Sequence, residues 1–102
     1  MKNILYILCD NTLDPIYAAV QGGHSVAEFL RLYEFDYWNN ETIVYVSVDI
    51  EKWRKYLLYD EADYYAYWKE PDQNNRITAI AVLYKNQSEY IQNKLKKEDL
   101  LK

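Results

Sequence analysis

The sequence contains only two glycines, two prolines and one cysteine among 102 residues. With so few chain-breakers, and with no Ser-rich or Gln-rich tract, no linker or disordered arm is expected and nearly the whole chain should be ordered. The lone Cys9 excludes an internal disulfide framework. With no His or second Cys beside it, Cys9 reads as a small core residue rather than a nucleophile. Long hydrophobic runs are also missing. No stretch approaches the roughly 20 apolar residues that span a bilayer, and the apolar run before Asp10 is shorter than the roughly 7–15 residues of a signal-peptide core. No membrane association and a reducing, cytoplasmic setting are therefore expected. Basic residues are scarce in the first half, where only Lys2 and Arg31 precede Glu51, against seven acidic residues. Lys85, Lys94, Lys96, Lys97 and Lys102 gather instead near the C-terminus, and the net charge is -4. This distribution argues against nucleic acid held by long-range electrostatics, and the C-terminal lysines read as a solvated helix face.

Apolar residues make up 50% of the chain, enough at this length for one core and one domain, residues 1–102. Twelve tyrosines, three tryptophans and two phenylalanines contribute to it. Tyrosine combines an apolar ring with a polar tip and so suits half-buried surfaces, interfaces and base-stacking platforms. Tyr64, Tyr65, Tyr67 and Trp68 crowd one segment, where they would occupy both faces of a strand. At least one of those faces is expected to meet a partner or ligand.

Asn3 to Cys9 is a compact apolar run ending at Asp10-Asn11, which predicts a buried, central strand. Asp14-Pro15 then supplies an N-cap and a proline suited to the first helical position. The helix is predicted to run to about Tyr33, with Ile16, Val20, Gly23, Ala27 and Leu30 recurring at helical spacing. Asn39-Asn40 signals a turn, and Thr42 to Val48 is β-branched almost throughout, as in a strand covered on both faces. Asp49 is placed to cap a second helix with Ile50, Trp53 and Leu57 inward and Lys52, Arg54 and Lys55 outward. Strands over Tyr64 to Lys69 and Arg76 to Tyr84 follow, joined as a hairpin by the turn formers of Glu70 to Asn75. Asn86 and Glu89 form a capping box opening a last helix, Gln87 to about Lys97, with Tyr90, Ile91 and Leu95 buried. The expected architecture is a single three-layer α/β domain. Its four-stranded mixed β-sheet carries helices on both faces in the order β-α-β-α-β-β-α.

Gln21, His24, Glu28 and Arg31 are spaced three, four and three apart, forming one polar stripe on the first helix. On pattern alone this is a solvent face. Gly22-Gly23 suggests something more, because a glycine inside a helix costs about 1 kcal/mol relative to alanine and two in a row need a reason. Close approach by another backbone or by a ligand is the usual one. His24 is available as a general base, although a single histidine on a helix is more often a packing residue. His24 and Glu28 have a metal-compatible spacing, but no second histidine or cysteine pair supports a metal site, and no cofactor motif is present.

The segments AAVQGGHS at 18–25 and EPDQNNRITAIAVL at 70–83 resemble the type II peptidyl-tRNA hydrolases, in particular compact, often phage-encoded relatives. The resemblance runs in order from the first strand to Leu83. It implies that Gln21, His24, Thr78 and Asp72 are the catalytic group, with Asp72 the nearest match to a loop aspartate that the enzymes hold farther from the threonine. Tyr17, Gly22 and Gly23 would line the substrate. It further implies hydrolysis of the ester between peptide and tRNA, no cofactor, peptidyl-tRNA as substrate and a homodimer. The family's lysine, four residues before the glutamine, is Tyr17 here, and no lysine lies between Lys2 and Lys52. Lys69 is the nearest candidate to replace it. A member that has lost catalysis and binds a protein, a tRNA end or a nucleotide, such as a phage counter-defence protein, is the alternative expectation.

Overall fold

The computed structural model describes residues 4–33, 42–59, 64–83, 94–95 and 97–101. In chain order the elements are β1 (Ile4–Asp10), α1 (Pro15–Leu32), β2 (Thr42–Val48), α2 (Ile50–Tyr59) and β3 (Tyr64–Glu70). A 3₁₀ turn (Pro71–Gln73), β4 (Arg76–Leu83) and the two-residue β5 (Asp99–Leu100) complete them. The expected Asn39-Asn40 turn, Tyr84 and the Asn86–Glu89 capping box lie outside the described residues. So do Tyr90, Ile91 and the Leu57 side chain. Of the last predicted helix, Lys94, Leu95 and Lys97 are described and are helical, and Leu95 is buried.

The sheet order is β3-β4-β1-β2-β5. β1 pairs in parallel with β2 and antiparallel with β4, β4 pairs antiparallel with β3, and β5 adds a short antiparallel edge to β2. The four expected strands thus form a mixed sheet with β1 at its centre, and β5 is a further strand that its two residues gave no periodicity to announce. Alternation along the strands sorts the core into two layers. Leu5, Ile7, Cys9, Ala66, Ala81 and Leu83 lie with Ala18 and Phe29 of α1. Tyr6, Leu8, Val46, Val48, Ile80 and Val82 lie with Ile50 and Trp53 of α2 and with Leu95. Helical segments therefore cover both faces, giving the three layers expected. Among the described residues no helix is long and apolar enough to cross a membrane.

The helix starts follow their local chemistry. Asp14 Oδ1 accepts from the Ile16 N–H at 2.9 Å with Pro15 at the first helical position, and Asp49 Oδ1 accepts from the Lys52 N–H at 3.2 Å. Two expectations about burial need correction. β2 is not covered on both faces along its length: Ile43 is exposed and full burial is reached only at Val46 and Val48, because one neighbour of β2 is just two residues long. More consequentially, the apolar stripe of α1 faces outward. Ile16, Val20 and Leu30 are exposed, whereas Ala18, Gln21, Gly22, Ser25 and Phe29 face the sheet.

This inversion is tolerated because the buried polar groups find partners. Ser25 Oγ donates to the Gly22 carbonyl at 2.7 Å, and Gln21 is bonded across the layer as described below. Gly22 sets the approach of helix to sheet. A Cβ there would sit 2.7 Å from Tyr45 Cε2, 2.8 Å from Ile7 Cγ2 and 3.0 Å from Cys9 Sγ, whereas one at Gly23 would meet nothing within 4 Å. The two glycines therefore predict opposite results. Gly22→Ala should destabilise, since overpacking costs about 1–3 kcal/mol and outweighs the helix-propensity gain. Gly23→Ala should stabilise by about 0.5–1 kcal/mol, because its φ is not positive and its surroundings are open. Urea denaturation of the two variants checks both signs.

Candidate functional site

Gln21 joins three elements. Its Oε1 accepts from Thr78 Oγ1 of β4 at 2.9 Å and from Trp68 Nε1 of β3 at 3.0 Å. Gln21 and Thr78 are both fully buried, 57 residues apart in sequence. Thr78 reaches this position through a β-bulge. Trp68 lies opposite Ala79 and Lys69 opposite Ile77, so β4 carries one residue, Thr78, with no counterpart on β3. The same extra residue explains why Ile77 and Ile80, an odd number apart, pack against one core layer. Without it Thr78 would follow Ile80 and Val82 onto the α2 side, away from α1.

The sequence reading missed two members of the group, Trp68 as a hydrogen-bond donor and Glu70. The indole N–H of Trp68 is shared between Gln21 Oε1 and Glu70 Oε2, the latter at 3.2 Å. Glu70 Oε1 accepts from the Asp72 backbone N–H at 3.2 Å, which also caps the 3₁₀ turn. The Trp68 bond foremost, then the Asp72 N–H, hold the Glu70 carboxyl below its ordinary value against the opposing effect of desolvation. The amide of Gln21 and the nearby His24 act in the same direction. A signal was present in the sequence: Trp68 and Glu70 are two apart at the end of a strand, the spacing that puts side chains on one face.

His24 lies one turn beyond Gln21 on α1, exposed, with its ring stacked on Trp68 at a centroid separation of 4.4 Å and an interplanar angle of 14°. Tyr17 lies one turn before Gln21 and is half-buried. Gly22 is buried against the sheet and Gly23 is exposed. Asp72 is exposed, and its described contact is the backbone bond to Glu70; the carboxylate joined to Gln21 and Trp68 is that of Glu70. Lys69 is exposed and lies opposite Ile77, on the α2 side with Tyr65 and Tyr67, so the strand turns it away from Gln21. Glu28 pairs with Arg31 at 2.8 Å, which accounts for the rest of the polar stripe. Among the described residues, no three of His, Cys, Asp and Glu gather as a metal site.

The remaining aromatics of β3 are engaged within the fold. Tyr64 meets Tyr33 edge-on at 5.0 Å, Tyr33 Oη donates to the Tyr65 carbonyl at 3.0 Å, and Tyr65 and Tyr67 lean together at 5.2 Å. Cys9 is buried beneath α1 and its thiol is pushed up to about 12 by desolvation, leaving no thiolate for chemistry.

A second polar group lies at the same end of the sheet. Asp10, at the end of β1, is 3% exposed. It accepts from the Thr12 N–H at 2.8 Å and Thr12 Oγ1 at 2.7 Å and pairs with Arg76, whose residue lies opposite Glu70 in the β3–β4 register. Burial alone would raise the Asp10 carboxyl, but the Thr12 bonds and the Arg76 guanidinium together bring it below the ordinary value. Asp10 and Arg76 line a cleft of about 160 Å³ with Asn11, Thr12, Asp49, Ile50 and Glu51. A more open apolar groove of about 530 Å³ runs between Pro15, Ile16, Ala19 and Val20 of α1 and Leu101. Neither of these two concavities is lined by Gln21 or His24.

No family model matches this chain. No curated protein matches it either.

Proposed function

We propose that the chain hydrolyses the ester joining a peptide to the terminal ribose of tRNA, as a compact relative of the type II peptidyl-tRNA hydrolases. The observation that supports this reading is the hydrogen bond from Thr78 to Gln21, which joins the two segments that carry the resemblance into one site. In the proposed reaction, His24 takes a proton from water as the water oxygen attacks the ester carbonyl. Collapse of the tetrahedral intermediate breaks the bond to the ribose oxygen, which receives that proton. The products are a tRNA hydroxyl and a free peptide carboxyl group, which loses the remaining water proton to solvent as it ionises.

Tyr17 offers a neutral hydroxyl where the family carries an ammonium. Loss of one electrostatic donor typically costs about 10²–10³ in rate, so turnover should be slow. Release of peptide from a model peptidyl-tRNA is expected above the buffer blank, abolished in His24→Ala and raised in Tyr17→Lys by about 10²-fold. Absence of turnover at high protein concentration, in both the native chain and Tyr17→Lys, would overturn the reading. It would leave the alternative of a family member that binds without catalysis. One feature favours that alternative: Thr78, Gln21, Trp68 and Glu70 satisfy one another's hydrogen bonds, which suits a structural network as well as a reactive one.

A further inference from the structure

We propose that the outer face of His24 is a stacking seat for a nucleobase, the terminal adenine of tRNA under the function proposed above, on which this inference rests. One face of the imidazole is covered by Trp68, yet His24 is exposed; its accessible surface is therefore the opposite face and the ring edges. The underlying indole is fixed. Trp68 Nε1 is bonded to both Gln21 and Glu70, so the plane on which His24 rests is held by α1 and β3 together. A planar group arriving from solvent meets a platform already ordered, and little ordering entropy remains to oppose binding.

Charge decides between a base and a phosphate as the group recognised here. Glu70 is bonded to the edge of the underlying indole and its carboxyl is held below the ordinary value, so a negative charge stands close to the platform and disfavours an anion at this point. A neutral π-face carries no such penalty, and bases stack on aromatic rings with a gain equivalent to roughly 5- to 150-fold in affinity. The geometry also suits one nucleotide. His24 follows Gln21 by three residues, about 4.5 Å along the helix axis. A base seated on His24 and its own ribose, the one bearing the ester, therefore fit within one turn of α1, over the buried Gln21. The imidazole nitrogens lie on the ring edges and stay free to exchange a proton while both faces are covered.

The chain has a single histidine, so one imidazole Cε1–H resonance reports the site directly. Titration with adenosine is expected to move that resonance upfield and saturably, by the ring current of the stacked purine, while ribose 5-phosphate leaves it in place. In His24→Ala, the Trp68 indole N–H resonance should report adenosine binding weakened at least fivefold. An unmoved resonance with adenosine would overturn the proposal. So would an equal response to ribose 5-phosphate, which would mark an anion site, or a response only to N-acetyltyrosinamide, which would mark a peptide site. The two readings fail separately: adenosine stacking without ester hydrolysis removes the reaction and keeps the seat. Equal hydrolysis of peptidyl-tRNA with and without its terminal base, alongside an unmoved resonance, removes the seat and keeps the reaction.

Discussion

Replacing Gln21 with leucine is expected to lower the unfolding free energy by about 2–4 kcal/mol, despite exchanging a polar side chain for an apolar one of similar size in the core. Burial of leucine would be worth more than burial of an amide if nothing else changed. Here, however, the amide is the shared partner of groups on two strands. With it removed, the Thr78 hydroxyl is left fully buried with no Gln21 Oε1 to receive it, Trp68 keeps only its bond to Glu70, and Glu70 loses the Gln21 amide. The cost is the desolvation of groups left unpaired, about 1–3 kcal/mol for each, against about 0.5–1.5 kcal/mol for the net worth of a bond. Thr78→Val, which removes the hydroxyl at nearly constant shape, should cost only about 1 kcal/mol because Gln21 Oε1 retains Trp68. The double variant should then be little worse than Gln21→Leu alone, since the orphaned hydroxyl is gone. A double-mutant cycle by urea denaturation measures this coupling, and simple additivity of the two losses would show that the network does not act as a unit.

The same network explains where sequence reasoning succeeds and where it stops. β2 is readable because Thr42 to Val48 is β-branched nearly throughout, and the start of α1 because Asp14-Pro15 supplies both cap and first-turn geometry. The inward face of α1 is not readable by hydropathy. Ile16, Val20 and Leu30 outweigh Gln21 and Ser25 on any apolar scale, yet the polar residues lie inside because the sheet offers a threonine and an indole to meet them. Such partners are set by tertiary register, and here by a bulge that leaves no mark in the sequence beyond the odd spacing of Ile77 and Ile80. Gly22 and Gly23 look equivalent in sequence and are not, since only the first lies under the helix. Asp72 and Glu70 likewise sit in one turn-rich segment. The 3₁₀ turn gives the network the carboxylate at the strand end and leaves Asp72 outside.

Arg76→Met is expected to destabilise the protein by about 2–3 kcal/mol at neutral pH, and the deficit should shrink as the pH is lowered towards about 3. Breaking a fully buried ion pair commonly costs about 3–5 kcal/mol; the smaller figure reflects the Arg76 side chain, which is 39% exposed against 3% for Asp10. In the native protein, Asp10 titrates below its ordinary value, so the stability it contributes is present above the unfolded carboxyl range and is lost as the pH falls through the folded value. In the variant the guanidinium is gone and burial, which already opposes ionisation, is less fully offset by the Thr12 bonds. Asp10 then protonates at higher pH, where the native chain still keeps its ion pair. Acidification therefore weakens the native protein more than the variant, and the two stability curves converge. Glu70, whose carboxyl is also held below its ordinary value, is common to both chains and largely cancels from the difference. Urea denaturation at pH 7 and at about pH 3 gives the comparison directly. A deficit of equal size at both pH values would mean that Arg76 acts through the packing of its stem and its contact with Gln73, with no contribution from the charge on Asp10.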